Sequence, residues 1–315
     1  MSELVYPPNR QDTGPELDIG GPGGRIGKPV YWRWLERWTG FDAQFGPFYM
    51  GLWGILAFFF GGMFTFIWLV TMLRQVDYNG LAFLKYFAVL QLNPPRNEYG
   101  LGWPPMDEGG WWLVATFFLT LSILAWEVRL WLRAREWGLR PYLAYGFTGA
   151  IILYLAIYVI RPIVMGTWAE APAHGIRALL DWTNNVSVAY GNFYYNPFHM
   201  LSIFFLLGST LLFSMHGATI WALEKYGAHE EEDEIEAPGT GTERAQLFWR
   251  WTMGFNANAY SIHLWAFWFA WLCGFTGAIG VLLSGTLVFD WFQWAIEAQI
   301  NYPQVAPPPV VVPFQ

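Results

Sequence analysis

Residues 196–220 read NPFHMLSIFFLLGSTLLFSMHGATI, an apolar run without a single charged side chain. His199 and His216 stand near its two ends, 17 residues apart. As a helix rising 1.5 Å per residue, that interval is about 25 Å long. The hydrocarbon layer of a bilayer is ~30 Å thick. Each imidazole therefore lies near a different face of a membrane, with a dry path between them. Polar groups inside a spanning helix are expensive and are kept for function. One helix joining two ligand-grade side chains suggests two cofactor stations, one at each face.

Composition agrees with a membrane setting. Apolar residues make up 55% of the 315 positions and charged residues 13%, outside the range of an ordinary soluble domain. The 21 tryptophans and 26 phenylalanines fit interfacial aromatic belts and equally supply flat surface against planar cofactors. Cys273 is the single cysteine, so no disulfide framework exists. The net charge of −7 comes without a basic patch, which argues against a nucleic-acid partner. Met1 to Gly27 is polar and rich in Pro and Gly, without a cleavable signal pattern.

Five spans are predicted, over residues 49–73, 109–132, 141–164, 195–223 and 257–284. The third is expected to close at Arg161-Pro162, because proline ends or kinks a helix. YWRWLERW (31–38) reads as an interfacial segment, and HGIRALLDW (174–182) has helical apolar spacing suited to lying flat on the membrane. The connection 75–108 is punctuated by NPP (93–95) and WPP (103–105). The connection 224–256 carries the acidic run HEEEDEIE (229–236), and the tail after Tyr302 is proline-rich. This divides the chain into an arm (1–48), a five-helix membrane domain (49–284) and a tail (285–315).

Alternate connections share the positive charge unequally. Twelve Lys and Arg fall on the side of the N-terminal arm and the second and fourth connections, against five on the other. The positive-inside rule places the twelve in the cytoplasm. The N-terminus is then inside and the C-terminus outside, with His199 near the outer face and His216 and His263 near the cytoplasm.

His216 and His263 sit at one membrane depth on successive spans, with Glu230, Glu231, Glu232 and Glu234 on the connection between them. Imidazole with carboxylate suits a divalent first-row metal such as iron or manganese, and further donors must come from water or a partner chain. The same residues also fit a solvated acidic loop beside two histidines bonded across helices. His199, in FYYNPFH (193–199), suits either an axial ligand of a metallated macrocycle or a hydrogen bond to a neighbouring helix. The rings of FWRW (248–251) suit a stacked quinone or a plain interface anchor. His174 and His229 support no argument from sequence.

NPFHMLSI (196–203), MHGATI (215–220), ERAQLFWRWTMGFNA (243–257) and IHLWAFW (262–268) together resemble the M subunit of type II bacterial photosynthetic reaction centres. FGPFYMGLWG (45–54) and LDWTNN (180–185) extend the resemblance over almost the whole chain. The acidic residue in the last cytoplasmic connection and FWRW favour M over the related L subunit. The resemblance implies an all-α integral membrane protein of five transmembrane helices plus short interfacial helices, paired with a homologous L subunit about a pseudo-two-fold axis. It further implies light-driven charge separation from a bacteriochlorophyll special pair, via bacteriopheophytin, to a bound primary quinone, without conventional catalytic residues, in the bacterial plasma membrane.

Residue by residue, His199 matches the axial ligand of a special-pair magnesium. His216 and His263 match ligands of the non-haem iron (manganese being the other candidate), and Glu231 its carboxylate, by counting along EEDEI. The L subunit would supply two further histidines. Trp249 matches the ring stacked on the quinone, and Thr219 and the Ala257 N–H lie where its carbonyls are hydrogen-bonded. An extracytoplasmic cytochrome or copper-protein donor, a light-harvesting antenna and a carotenoid belong to the same expectation.

Three departures stand out. Leu179 occupies the position, just before LDWTNN, of the histidine that ligates an accessory bacteriochlorophyll in the purple-bacterial pattern. An alkyl side chain cannot ligate magnesium, so bacteriopheophytin is expected there, as in the green filamentous branch, and with that branch comes menaquinone. Leu207 replaces a tyrosine near the special pair, and Tyr194 replaces a phenylalanine and has a hydroxyl to offer a special-pair carbonyl. From another class, a haem-bearing quinol oxidoreductase would need paired histidines at each face, yet the outer face has only His199 within a span. A transporter would need midplane charges and inverted repeats, which are missing.

Overall fold

The computed structural model describes residues 44–45, 48–88, 110–136, 139–224 and 243–301. YWRWLERW, the proline motifs of the first connection, the acidic run with Glu231 and His229, and the tail after Tyr302 lie outside them. A two-stranded antiparallel ribbon, β1 (Gln44–Phe45) and β2 (Phe48–Tyr49), leads into the first helix. The helices are α1 (Gly51–Gln75), α2 (Gly80–Ala88), α3 (Gly110–Glu136), α4 (Tyr142–Met165), α5 (Ile176–Ala189), α6 (Pro197–Ala222), α7 (Glu243–Met253), α8 (Ala259–Leu283) and α9 (Trp291–Asn301). Five of them, α1, α3, α4, α6 and α8, are long and apolar enough to cross a membrane. They match the five expected spans to within a few residues, because an apolar window of about 20 residues is the strongest pattern a sequence carries. Helices α2, α7 and α9, which no such window announces, are the additions.

Contacts divide the chain into two units, one from Met1–Val70 with Gly100–Phe147, the other from Thr71–Tyr99 with Thr148–Gln315. In the first, α1 and α3 meet through small residues. Ser122 Oγ donates to the Ala57 carbonyl at 2.6 Å, and a Cβ on Gly61 would lie 3.0 Å from that hydroxyl oxygen. Arg129 donates from Nε to the Met50 carbonyl at 3.1 Å and lies over the Trp126 ring. Small residues that admit close backbones, with polar groups bonding across, are how helices associate where lipid removes the hydrophobic drive.

In the second unit α6 packs along α8, and α8 against α4. At Gly208 a Cβ would fall 2.2 Å from the Phe269 ring, and at Gly274 only 2.7 Å from the Gly149 carbonyl oxygen. The α4–α8 contact is backbone against backbone, so nothing flexible can yield. Gly274→Ala is therefore expected to destabilise the protein by about 2 kcal/mol, the scale of overpacking a tight interior. A thermal melt of the detergent-solubilised complex unchanged by the substitution would refute that packing account.

Pro162 does not close the third span. The helix continues to Met165 and ends at Gly166, which takes the left-handed φ of 79°. Proline lacks an N–H and its ring crowds the carbonyl four residues back. A five-residue π turn, Ala156–Ile160, directly precedes this stretch, widening the helix where those carbonyls would otherwise meet the ring.

Candidate cofactor stations at the two ends of one helix

At the N-terminal end of α6 stands Asn196. Its Oδ1 accepts from the Phe198 and His199 N–H groups, and its Nδ2 donates to the Gly280 carbonyl of α8 at 3.3 Å. Proline in the first turn completes the N-terminal pattern. One turn in, the half-buried His199 has Nδ1 3.2 Å from the Phe193 carbonyl oxygen. A carbonyl only accepts, so Nδ1 carries the proton and Nε2 keeps its lone pair, the form that ligates a metal. The residues here thus fit an axial ligand.

Leu179 lies half-buried on α5, and its surroundings supply no substitute imidazole. His174, one turn away in sequence, is only 3% exposed, with its ring 4.9 Å from that of Tyr158 and nearly parallel to it. Leu207 and Tyr194 are 64% and 53% exposed, on surface this chain leaves uncovered.

Burial holds the His174 pKa down at about 3, against an ordinary 6.5. The folded value lies below the unfolded one, so the unfolded chain takes up the proton first as pH falls. Stability from this group is complete above pH 6.5 and declines as pH drops from 6.5 towards 3. Melting midpoints measured across that window should fall for the native protein, and His174→Phe should flatten the slope.

At the other end of α6, α6 and α8 bring His216 and His263 together, ring centroids 4.8 Å apart and nearly perpendicular. Two imidazoles bonding one ion at about 2.1 Å hold their centroids within roughly 6 Å of each other. His263 Nδ1 meets the Ala259 carbonyl, leaving Nε2 as the ligand nitrogen. Glu231 lies outside the described residues, and among those described no three His, Cys, Asp or Glu side chains gather into a set. The histidine pair fits part of a metal site that carboxylate and partner-chain donors would complete.

Beside this pair, Trp249 of α7 is 4% exposed and packs with Ala257 and Ile262, flanked by Leu212, Met215, Phe248, Met253 and Trp265. Phe255 lies against Trp249, centroids 6.2 Å apart. The Ala257 N–H, between α7 and α8, has no partner among the described residues. The buried Thr219 donates its hydroxyl to the Met215 carbonyl at 2.7 Å, so a second acceptor would have to draw it from the helix. This is an apolar, aromatic cluster with one backbone donor at its edge, residue chemistry that suits a flat carbonyl-bearing ring.

Residues 48–301 match the family of photosynthetic reaction centre proteins. The chain belongs to this family. Over 299 residues, 95% of this chain and 97% of the relative, it is 69% identical to the reaction centre protein M chain of Chloroflexus aurantiacus. Against the M chain of Pararhodospirillum photometricum it is 48% identical over 195 residues, 61% of this chain and 76% of that one. As a reaction centre protein it is a membrane electron-transfer protein, and a haem-bearing oxidoreductase is not favoured.

Sequence reasoning passed over Arg161, counted only as a charge. It is fully buried, donating from Nε to the Ser284 carbonyl at 3.0 Å and from Nη1 to Glu170 Oε2 at 3.1 Å. It also passed over the turn that precedes α6. No signal short of the fold links these residues: Arg161 and Ser284 are 123 positions apart.

Proposed function

We propose that this chain is the M-type subunit of a type II reaction centre, paired with a homologous L subunit about a pseudo-two-fold axis in the bacterial plasma membrane. Its N-terminus is cytoplasmic and its C-terminus outside. When bound, bacteriochlorophyll, bacteriopheophytin, quinone and iron supply the light absorption and one-electron chemistry; the protein supplies position, ligation and electrostatics.

His199 would hold the magnesium of a special-pair bacteriochlorophyll through Nε2, and Leu179, offering no ligand, would favour bacteriopheophytin at its station. His216, His263 and Glu231 hold the iron from this side, with two L-subunit histidines opposite. Trp249, the Ala257 N–H and Thr219 would hold the primary quinone, here menaquinone, the tryptophan supplying a flat apolar face and the N–H a donor for a carbonyl. Tyr194 and Leu207 tune the pigment surroundings. An extracytoplasmic cytochrome or copper protein re-reduces the complex, and an antenna feeds it.

The observation that carries this reading is the arrangement on α6: an imidazole with a free Nε2 at one end, and the paired imidazoles beside the Trp249 cluster at the other. Extraction of the purified complex should yield bacteriopheophytin and bacteriochlorophyll in equal amounts. Half that ratio would refute the role of Leu179, and haem without chlorins would overturn the function. His199→Leu should exchange one bacteriochlorophyll for bacteriopheophytin; unchanged pigment content would dismiss His199 as a ligand.

A further inference from the structure

The turn between α5 and α6 is more heavily bonded than a connection requires. Asn192 adopts a φ of 70°, a conformation that non-glycine residues hold only where surroundings enforce it. Its Oδ1 accepts from the Tyr194 N–H at 2.9 Å and lies 3.3 Å from Ser187 Oγ, and its own N–H donates to the Ser187 carbonyl. Ser187 Oγ, in turn, accepts from the Phe193 N–H at 2.8 Å. The two peptides before Asn192 are tied to α9, through the Trp291 N–H to the Tyr190 carbonyl and the Phe292 N–H to the Gly191 carbonyl. A bond of 3.0 Å from the Asn196 N–H further holds the carbonyl of Phe193. Its ring is buried against the His199 imidazole, 5.6 Å between centroids, and its carbonyl receives the Nδ1 proton.

We infer that Ser187 and Asn192 are positioning residues for His199, which set the tautomer and plane of its imidazole through the Phe193 carbonyl. A ligand histidine whose second nitrogen is fixed by a carbonyl has its basicity and ring orientation set by that partner. The strained Asn192 and the Ser187 hydroxyl place this carbonyl, and α9 braces the turn from behind. The inference rests on the reading of His199 as an axial ligand.

The test uses the intact pigment-bearing complex. Asn192→Gly keeps the positive φ available but deletes the amide; Ser187→Ala deletes the hydroxyl. Asn192→Asp and Ser187→Thr retain the bonding oxygen, and Gln293→Ala is the control. Nitrogen-15 spectra of histidine-labelled complex report the His199 tautomer, and the special-pair absorption band reports ring orientation. Asn192→Gly and Ser187→Ala are each expected to shift the Nδ1 resonance and the band with pigment content intact, while Asp, Thr and the control leave both in place. Variants that lower the melting temperature yet leave resonance and band unmoved would reduce the turn to a structural role and overturn the inference. If His199→Leu leaves the pigments unchanged, it is the ligand reading that fails, so the two failures are distinguishable.

Discussion

Leu179→His is expected to convert a bacteriopheophytin to a bacteriochlorophyll, taking extracted pigments from equal amounts to one bacteriopheophytin for every two bacteriochlorophylls. Magnesium requires a lone pair perpendicular to the macrocycle, which the leucine lacks and an imidazole supplies. Leu179 is half-buried on α5 beside the exposed Ile176 and Leu180, so the site is apolar, and water as a ligand would forfeit hydrogen bonds there. Thr183 Oγ1, one turn further along α5, already gives its proton to the Leu179 carbonyl at 2.7 Å. His174 is no substitute, since its ring is buried on Tyr158. Extraction of the variant complex decides the matter. An unchanged pigment ratio would mean that metal insertion is governed by something other than the side chain at 179.

How much of this was legible before the fold follows from the range of each signal. The five spans are local patterns and came through to within a few residues. The placement of His199 and His216 near opposite ends of α6 was equally legible, because helical rise converts a spacing of histidines directly into depth. The pairing of His216 with His263 followed from depth alone, and their rings do meet. The π turn was illegible, since Arg161-Pro162 reads locally as a stop; only the widened turn before it lets the helix continue. Helix α2 escaped because its nine residues sit in a connection read by its prolines. The bracing of His199 was hidden for another reason. Ser187, Asn192 and the ends of α9 are ordinary turn residues whose meaning comes from contacts across the fold.

Arg161→Met is expected to lower the stability of the complex by about 3 kcal/mol, the scale for breaking a buried ionic network from one side. Methionine has comparable length and suits an apolar site, so packing changes little and the loss isolates the guanidinium. Without it the Ser284 carbonyl loses its Nε donor, Glu170 loses its counter-charge, and the Tyr190 ring loses the cation 5.4 Å from its centre. The damage spreads because each partner holds something else. The Glu170 carbonyl accepts from Trp182 Nε1 at 2.6 Å, which anchors α5, and Ser284 Oγ accepts from Trp291 Nε1 at 2.9 Å, which anchors α9. Glu170→Gln should cost less than Arg161→Met: the buried cation loses its counter-charge, but the amide oxygen still accepts from Nη1 and the guanidinium keeps the Ser284 carbonyl and the Tyr190 ring. Denaturation of the solubilised complex measures both variants. Equal losses for the two would place the energy in the ion pair alone, and a loss below about 0.5 kcal/mol for Arg161→Met, the scale of an inconsequential surface change, would remove Arg161 as the tie between α4, α5, α8 and α9.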